Sequence, residues 1–249
     1  MKPFLKQNQP LPVWRGLFLI VLLLALGWSR GHAQVITDGS FDSLIGGIIP
    51  TGSVQQPPVI GGGTTMLAVG PWNLSSTGAN LTTGPVVSIG ATSPSGYGGG
   101  NDASISFGVA ISGESGLLSQ NLTGSLLSGQ TYTLDIAVAV GSVLGTLSST
   151  FFTLTSGNTT VAQISSDTIL AALSSPNAFQ TVSTTFTADN NYSNLLLTIS
   201  VNATGPQLAT TYYFDNPSIT AVPEARGLTL ALSSGALLLL RWRRLVPAN

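Results

Sequence analysis

The chain has 249 residues, of which nine are Asp or Glu, eight are Lys or Arg, one is His and none is Cys. All the basic residues lie before residue 34 or after residue 221, so the stretch between them carries seven Asp, one Glu and a formal charge near −8. This stretch offers no thiolate or imidazole, and without Lys or Arg it cannot neutralise phosphates, which excludes nucleic acid as a partner.

Residues 1–33 have the layout of a secretory signal peptide. Three basic side chains precede the apolar run Leu17–Trp28, and the small residues Gly31 and Ala33 follow it. We predict a short signal helix, cleavage between Ala33 and Gln34, and export across the inner membrane. An uncleaved membrane anchor is the alternative.

Residues 34–221 are predicted to form one ectodomain, long enough for a sizeable core. Apolar and polar residues alternate in Tyr132–Val140 and Leu195–Val201, as in strands with one face buried. Helical periodicity is limited to a short turn at Asp167–Leu173. Many strands without crossover helices predict an all-β fold, an antiparallel β-sandwich of the jelly-roll type. Further strands are predicted at 104–111, 149–154, 160–165, 179–187 and 212–220.

Three stretches of this ectodomain are expected at the surface. Gly46–Thr65 and Ser93–Gly100 are rich in Gly and Pro and predict long loops, which form either a binding rim or mobile connections. Glu114, the only glutamate of the ectodomain, lies in Ser112–Gly116, which reads as a solvated hairpin turn. A carboxylate-dependent glycoside hydrolase would need a second acid close to it, and we treat that activity as a distant alternative.

Four segments of the ectodomain resemble the galactose-binding-like carbohydrate-binding modules, a family of jelly rolls. They are Asp38-Gly-Ser-Phe-Asp42, Gly70-Pro-Trp-Asn73, Gln120–Leu134 and Tyr213–Ile219. The resemblance implies that the first and last segments lie side by side and that one acid from each, Asp42 and Asp215, binds a structural calcium. Pro217 departs from the family pattern and, because it lacks an N–H donor, predicts that the last strand is at an edge or bulged there.

The oxygen-rich, nitrogen-poor side chains of the ectodomain suit calcium independently of this resemblance. The alternative is that Asp42 and Asp215 cap turns at strand ends. Sugar binding would need an aromatic platform, for which Trp72 and Tyr97 are the candidates, although a single large ring in a sandwich more often packs between the sheets. The remaining strand aromatics are predicted to be core.

Residues 222–249 have the layout of a second targeting signal. About 13 apolar residues rise roughly 20 Å as a helix, less than the roughly 30 Å of a hydrocarbon core, so the predicted helix at about 226–245 is a marginal span. Arginines after it predict that the ectodomain faces outward. The stretch resembles the PEP-CTERM sorting signal, which implies recognition and removal by an exosortase-like membrane protease; a permanent tail anchor is the alternative. The matching residues are Val222, Pro223, Glu224, Arg241, Arg243 and Arg244.

Together these features predict an exported protein, held briefly at the membrane and then released to the cell surface or the extracellular matrix. The predicted role is structural or adhesive and non-catalytic. The main alternative is a carbohydrate-binding module that recognises an exopolysaccharide.

Overall fold

The computed structural model describes residue 41 and residues 51–90, 100–141, 148–173, 176–206 and 208–222. The chain divides into two compact units, His32–Val222 and a second that joins Met1–Gly31 with Pro223–Asn249. All described residues belong to the first unit, so the predicted signal and C-terminal helices lie outside them. Among the described residues, no helix is long and apolar enough to cross a membrane.

The first unit consists of two six-stranded antiparallel sheets, as the all-β prediction requires. The first sheet has the order β1-β4-β5-β12-β7-β10, and the second has the order β2-β3-β6-β11-β8-β9. One short helix, α1, connects β9 to β10. The strands are β1 (Gly52–Val54), β2 (Gly63–Val69), β3 (Trp72–Gly78), β4 (Val86–Gly90), β5 (Asp102–Phe107), β6 (Ser115–Leu122), β7 (Thr131–Val140), β8 (Ser148–Ser156), β9 (Thr159–Ile164), β10 (Gln180–Thr187), β11 (Leu195–Ala203) and β12 (Thr210–Ala221), and α1 spans Ser166–Ala172.

The core lies between the two sheets and is built by alternation along the strands. Leu195, Leu197, Ile199 and Val201 of β11 are fully buried, and the residues between them are half-buried. The predicted core positions of β7 face them from the first sheet. Burying one such side chain stabilises the fold by about 1.5–3 kcal/mol. Because the described core runs from Phe41 to Ile219, the first unit contains its own core and is expected to fold alone.

The helix α1 confirms the short turn predicted from the sequence. Ser165 is its N-cap and accepts a hydrogen bond from the Thr168 N–H at 3.4 Å. Asp167 lies in the first turn, where a negative charge complements the helix dipole. Ile169 is buried and docks the helix on the core.

Two surface predictions are wrong. Gly46–Thr65 was expected to be a loop, yet it contains β1 and the start of β2. Position 52 requires glycine because the chain packs closely there: a Cβ at this position would lie 2.7 Å from the Val69 Cγ2. Glu114 was expected in a solvated turn, yet it is only 2% exposed. Glu114 lies on the same side of the chain as Gly116, the side that faces the core. Its Oε1 has no hydrogen-bond partner among the described residues.

Candidate functional site

The centre of the first sheet carries polar side chains on the face turned away from the core. In β12, Phe214 belongs to the core, so its neighbours Tyr213 and Asp215 point to the opposite face. In β5, Ala103 belongs to the core, so Asp102 and Ser104 point to that opposite face as well. We call these residues, with the neighbouring β7 residues Ala137 and Ala139, the outer site.

Strand register brings the two carboxylates of the outer site together. The ladder between β12 and β5 ends with the pair Phe214 and Ala103, and Asp215 and Asp102 are the residues next to this pair on the two strands. The two carboxylates therefore belong to the same end of the ladder. Tyr213 pairs with Ser104 of β5 and with Ala139 of β7. It is two residues before Asp215 along β12, on the same face of the sheet.

The outer site is buried although it faces away from the core. Asp102 is 0% exposed, Asp215 is 1% exposed, and Ala137 and Ala139 are 1% exposed each. Two alanines beside Asp215 and Tyr213 leave more room than larger residues would. Carboxylates shielded from water in this way interact more strongly with one another and with any bound group than carboxylates on an open surface.

A bulge in β12 shapes the site. Asp215 pairs with Ala137 and Ser218 pairs with Asp135, so three steps along β12 match two along β7. Asn216 has a φ of 47°, and its N–H donates to Asp215 Oδ1 at 2.7 Å. Pro217, which has no N–H to donate, falls inside the bulge. The predicted irregularity at Pro217 is therefore a bulge in a central strand, and it fixes the direction of the Asp215 carboxylate.

The ionisable groups of the site are acidic. Asp135, whose Oδ2 accepts from the Ser218 hydroxyl at 3.4 Å, adds a third carboxylate two positions along β7 from Ala137. The described residues include no Lys, Arg or His. Burial, and secondarily the charge of Asp102, raises the pKa of the Tyr213 phenol above its usual value, while a hydrogen bond with Thr211 opposes the shift. Tyr213 is therefore a neutral hydrogen-bond donor over the physiological pH range.

The structure describes only some of the residues that were predicted to bind a metal or a sugar. Asp215 lies in the outer site, and Asp42 and Tyr97 lie outside the described residues. Phe41 is described, and its carbonyl accepts from Asn101 Nδ2 at 3.4 Å, beside the start of β5. Trp72 is fully buried, with its ring centroid 5.1 Å from that of Phe41, so it is the core residue that the sequence analysis gave as the alternative to a platform. Among the described residues, no three acids lie close enough to hold a metal ion together.

Of the remaining predicted sites, only Val222 is described. It belongs to the first unit, where its N–H donates to the Thr131 carbonyl at 2.9 Å and its carbonyl accepts from Gln130 Nε2 at 2.9 Å. The predicted cleavage point between Ala33 and Gln34 lies outside the described residues. So do Pro223, Glu224, Arg241, Arg243 and Arg244.

Sequence reasoning missed Asp102 and Tyr213 as site residues. Asp102 opens a strand whose alternation was visible from Ser104 onward, but no pattern in the sequence pairs it with Asp215. That pairing depends on which strands are neighbours in the first sheet, and β5 and β12 are separated by about a hundred residues along the chain.

Comparison with known proteins connects this fold to cyclases. The family described as HpiC1-like, HpiC1 cyclase, matches residues 36–220. No curated protein matches the sequence. A cyclase from Fischerella sp. TAU in complex with 4-(1H-indol-3-yl)butan-2-one is 19% identical, with 77% of this chain and 98% of that chain covered and a TM-score of 0.45. A Stig cyclase from the same source, in complex with (3Z)-3-(1-methyl-2-pyrrolidinylidene)-3H-indole, is 18% identical, with 77% and 98% covered and a TM-score of 0.47.

Carbohydrate-binding modules are also similar. A family 4 module is 16% identical over 61% of this chain and 95% of that chain, with a TM-score of 0.37. At such low identities and TM-scores the likeness to these structures concerns the jelly-roll-like sandwich, and it says nothing of the molecules that they bind.

The prediction of a non-catalytic protein is wrong, because a family of cyclases covers nearly the whole sandwich. The composition excluded nucleophilic cysteine and imidazole chemistry. It did not exclude chemistry by carboxyl and phenol groups, and the outer site holds both kinds of group in one buried place.

Proposed function

Because the chain belongs to the HpiC1-like cyclase family, we propose that it is a cyclase whose reaction takes place at the outer site. The observation that supports this location is the burial of Asp102 and Asp215 on neighbouring strands, on the face of the first sheet that also carries Tyr213. Acidic side chains gathered in one buried place of a fold are commonly connected with function.

Cyclisation without an oxidant or reductant is an isomerisation that can be driven by moving a proton. One carboxyl donates a proton to a carbonyl oxygen, an imine nitrogen or an alkene carbon of the substrate, which makes the carbon at the other end of that double bond electrophilic. A π bond of the same molecule then attacks that carbon and forms the ring bond. The other carboxylate accepts the proton that is lost to restore neutrality. Asp102 and Asp215 fill these two roles, and Tyr213 donates a hydrogen bond to the substrate.

Substitution of the carboxyls tests this assignment. Residues 34–222 are expressed alone and incubated with a panel of unsaturated indole-containing and terpenoid precursors, and products of unchanged mass but altered retention are sought by liquid chromatography and mass spectrometry. Asp215→Asn and Asp102→Asn are expected to lower kcat by about 100-fold or more, the usual contribution of one acid or base. Tyr213→Phe is expected to have a smaller effect.

The matched control is Asp167→Asn, which removes an exposed carboxylate in α1, far along the chain from the outer site. It is expected to leave kcat unchanged. Full activity of folded Asp102→Asn and Asp215→Asn, confirmed by circular dichroism, would move the reaction away from the outer site.

As the alternative role of Asp215, we propose that it binds a structural calcium ion. A carboxylate held by calcium does not transfer a proton, so the two roles exclude each other. The donor chemistry fits, since Asp102 and Asp215 offer carboxylate oxygens on neighbouring strands and the Phe41 carbonyl lies beside Asn101. Asp42, the second predicted ligand, follows Phe41 in the chain. Bound calcium would offset the repulsion between the carboxylates and hold the opening segment against β5.

For delivery, we propose that the cyclase is exported, anchored briefly by residues 222–249 and released by an exosortase-like protease to the cell surface or an exopolysaccharide matrix. The boundary between the two units at Val222 supports this proposal, because the predicted sorting motif lies at this boundary. The mass of the mature protein tests it. Ends near Gln34 and Pro223 are expected, and retention of Arg241–Arg244 would instead indicate a tail anchor.

A further inference from the structure

Four connections between the two sheets lie next to one another at one end of the sandwich. They are residues 55–62 between β1 and β2, residues 79–85 between β3 and β4, residues 108–114 between β5 and β6, and residues 204–206 and 208–209 between β11 and β12. A Cβ on Gly62 would lie 2.7 Å from the Gly78 carbonyl oxygen, and a Cβ on Gly113 would lie 3.8 Å from that of Ala79. The Gly113 N–H donates to the Ala203 carbonyl at 3.2 Å. The four connections therefore form one continuous surface, which we call the loop end.

The loop end gathers most of the exposed large hydrophobic side chains. Of the nine such side chains among the described residues, six lie here and one, Leu127, lies at the opposite end of the sandwich. The six are Val59, Ile60, Leu81, Val109, Ile111 and Leu208, of which Ile60 is 88% exposed and Val109 is 79% exposed. Exposed apolar side chains scattered singly are common in soluble proteins, whereas a contiguous group of them marks an interaction surface.

The backbone of Leu81 supports a role for this exposure. Its φ is 59°, a conformation that glycine and asparagine adopt readily and leucine rarely. The side chain is exposed, so contact with the core does not explain why a leucine occupies this position. Backbone strain at such a position is commonly connected with function.

Charge limits the partner of the loop end. The described residues of the four connections include no Lys or Arg, and their one acid, Glu114, is buried on the side of the chain that faces the core. Asp167 lies at the same end, but in α1, which follows β9 at the far edge of the second sheet. The partner must therefore bind without ion pairs. It cannot be strongly anionic either, because residues 34–221 carry seven Asp and one Glu without a base.

Polar groups of the exposed turns are paired within the loop end itself. The Val59 carbonyl accepts hydrogen bonds from the Leu81 N–H at 2.9 Å and from the Gly62 N–H at 3.2 Å. Asn80 Oδ1 accepts from the Gly61 N–H at 2.7 Å. Backbone groups that enter hydrocarbon need such internal partners, because no water is available there. These turns can therefore enter lipid with their aliphatic side chains in front.

We propose that the loop end docks on an uncharged lipid bilayer and inserts its aliphatic side chains at the boundary between headgroups and acyl chains. All six side chains are Val, Ile or Leu, whereas the centres of protein interfaces are enriched in aromatic residues, Met and Arg, so hydrocarbon is the partner that they fit. We expect weak, reversible binding, with half of the protein bound at a lipid concentration on the order of 0.1–1 mM, as for a single acyl chain.

This contact is independent of the function proposed for the outer site and of the residues after Val222. The strand β12 begins at the loop end with Thr210 and runs to Ala221 at the opposite end of the sandwich. The test therefore uses residues 34–222, which include the described core and leave out the apolar stretch near the C-terminus, since that stretch would bind lipid by itself.

Flotation with phosphatidylcholine vesicles measures the binding. Wild-type protein is expected to float with the vesicles, and replacing a third of the lipid by phosphatidylglycerol is expected to weaken binding at least twofold at low salt, because the acidic protein is repelled. Leu81→Asn is expected to lower the partition coefficient at least fivefold with an unchanged or higher Tm, because asparagine tolerates the positive φ. The matched control, Leu127→Asn, is the same substitution at the opposite end and is expected to leave binding unchanged.

A fluorescent label locates the contact. The chain has no cysteine, so a single introduced one can carry an environment-sensitive fluorophore. With vesicles, the emission of labelled Thr83→Cys, at an exposed position of the loop end, is expected to shift to the blue. That of labelled Asn158→Cys, in the exposed turn between β8 and β9 at the opposite end, is expected to stay unchanged.

Four results would each overturn the proposal. They are absence of flotation with phosphatidylcholine, binding that requires phosphatidylglycerol, equal loss of binding in Leu81→Asn and Leu127→Asn, and a blue shift at position 158 equal to that at position 83.

Discussion

Two regions reverse the usual distribution of residues in a folded domain: the outer site, and the exposed apolar residues Ile60, Met66, Leu67 and Leu81, which we call the apolar edge. Asp102 and Asp215 are buried on the first sheet, while Ile60 and Met66, just before and in β2, are among the most exposed apolar side chains. Acidic residues are rarely fully buried, and exposed apolar residues seldom cluster. Neither arrangement is required by the sandwich core, which is complete without them.

The two regions differ in the kind of bound group that would stabilise them. Repulsion between buried carboxylates is relieved by a proton, a cation or an organic substrate, all of which are small. Exposed backbone N–H and C=O groups and aliphatic side chains along a strand are covered only by a surface of similar length. The outer site is therefore suited to a small ligand, and the apolar edge is not.

The largest effect on stability is expected from removing one buried carboxylate. In chelator, Asp102→Asn keeps the side-chain shape and removes one of two neighbouring like charges, so the free energy of unfolding is expected to rise by about 0.5–1 kcal/mol. Added calcium is expected to stabilise the wild type and to have a much smaller effect on the variant, because the variant lacks one ligand. Urea unfolding at low salt, with EDTA or with calcium, measures both differences.

Met66→Lys is the control from the other region, because exposed substitutions usually change stability by less than 0.5 kcal/mol. If calcium and chelator give the same stability for the wild type, the ion has no site at Asp215. Lower stability of Asp102→Asn in chelator would show that repulsion is not the dominant interaction of that carboxylate.

Much of the sandwich could be predicted because alternation determines which residues of a strand are buried. The strands around Tyr132 and Leu197 were recognised on this basis, and so was the short helix after Ser165. The two wrong surface predictions share a cause. Gly52 and Glu114 were interpreted by residue type, as a loop former and a solvated acid, but each position is decided by contacts with distant strands.

The candidate site was predictable only in part. Asp215 stood out because the closing segment resembles a known pattern, and Pro217 indicated the bulge that directs its carboxylate. Asp102 and Tyr213 gave no such signal, because their role depends on the neighbours of β12 in the sheet. Register is a property of the whole fold, and short-range patterns do not encode it.

The smallest effect is expected in the titration of Tyr213, and it tests whether Asp102 lies beside the phenol. Burial and the Asp102 charge raise the pKa of Tyr213, so its contribution to stability is present below pH 10 and is lost as the pH rises through the raised value. Asp102→Asn removes the charge and is expected to lower that pKa, although burial keeps it above the usual value. Absorbance of tyrosinate at 295 nm, compared with Tyr213→Phe, measures the shift.

A second tyrosine provides the internal control for this titration. The pKa of Tyr192 is also raised, mainly because its hydroxyl donates to Asp189, at a partly buried position. Asp189→Asn is therefore expected to lower the pKa of Tyr192 and leave that of Tyr213 unchanged, whereas Asp102→Asn does the reverse. If Asp102→Asn moves neither group, Asp102 does not act on the phenol of Tyr213, and the outer site would lose the link between its carboxylates and its hydrogen-bond donor.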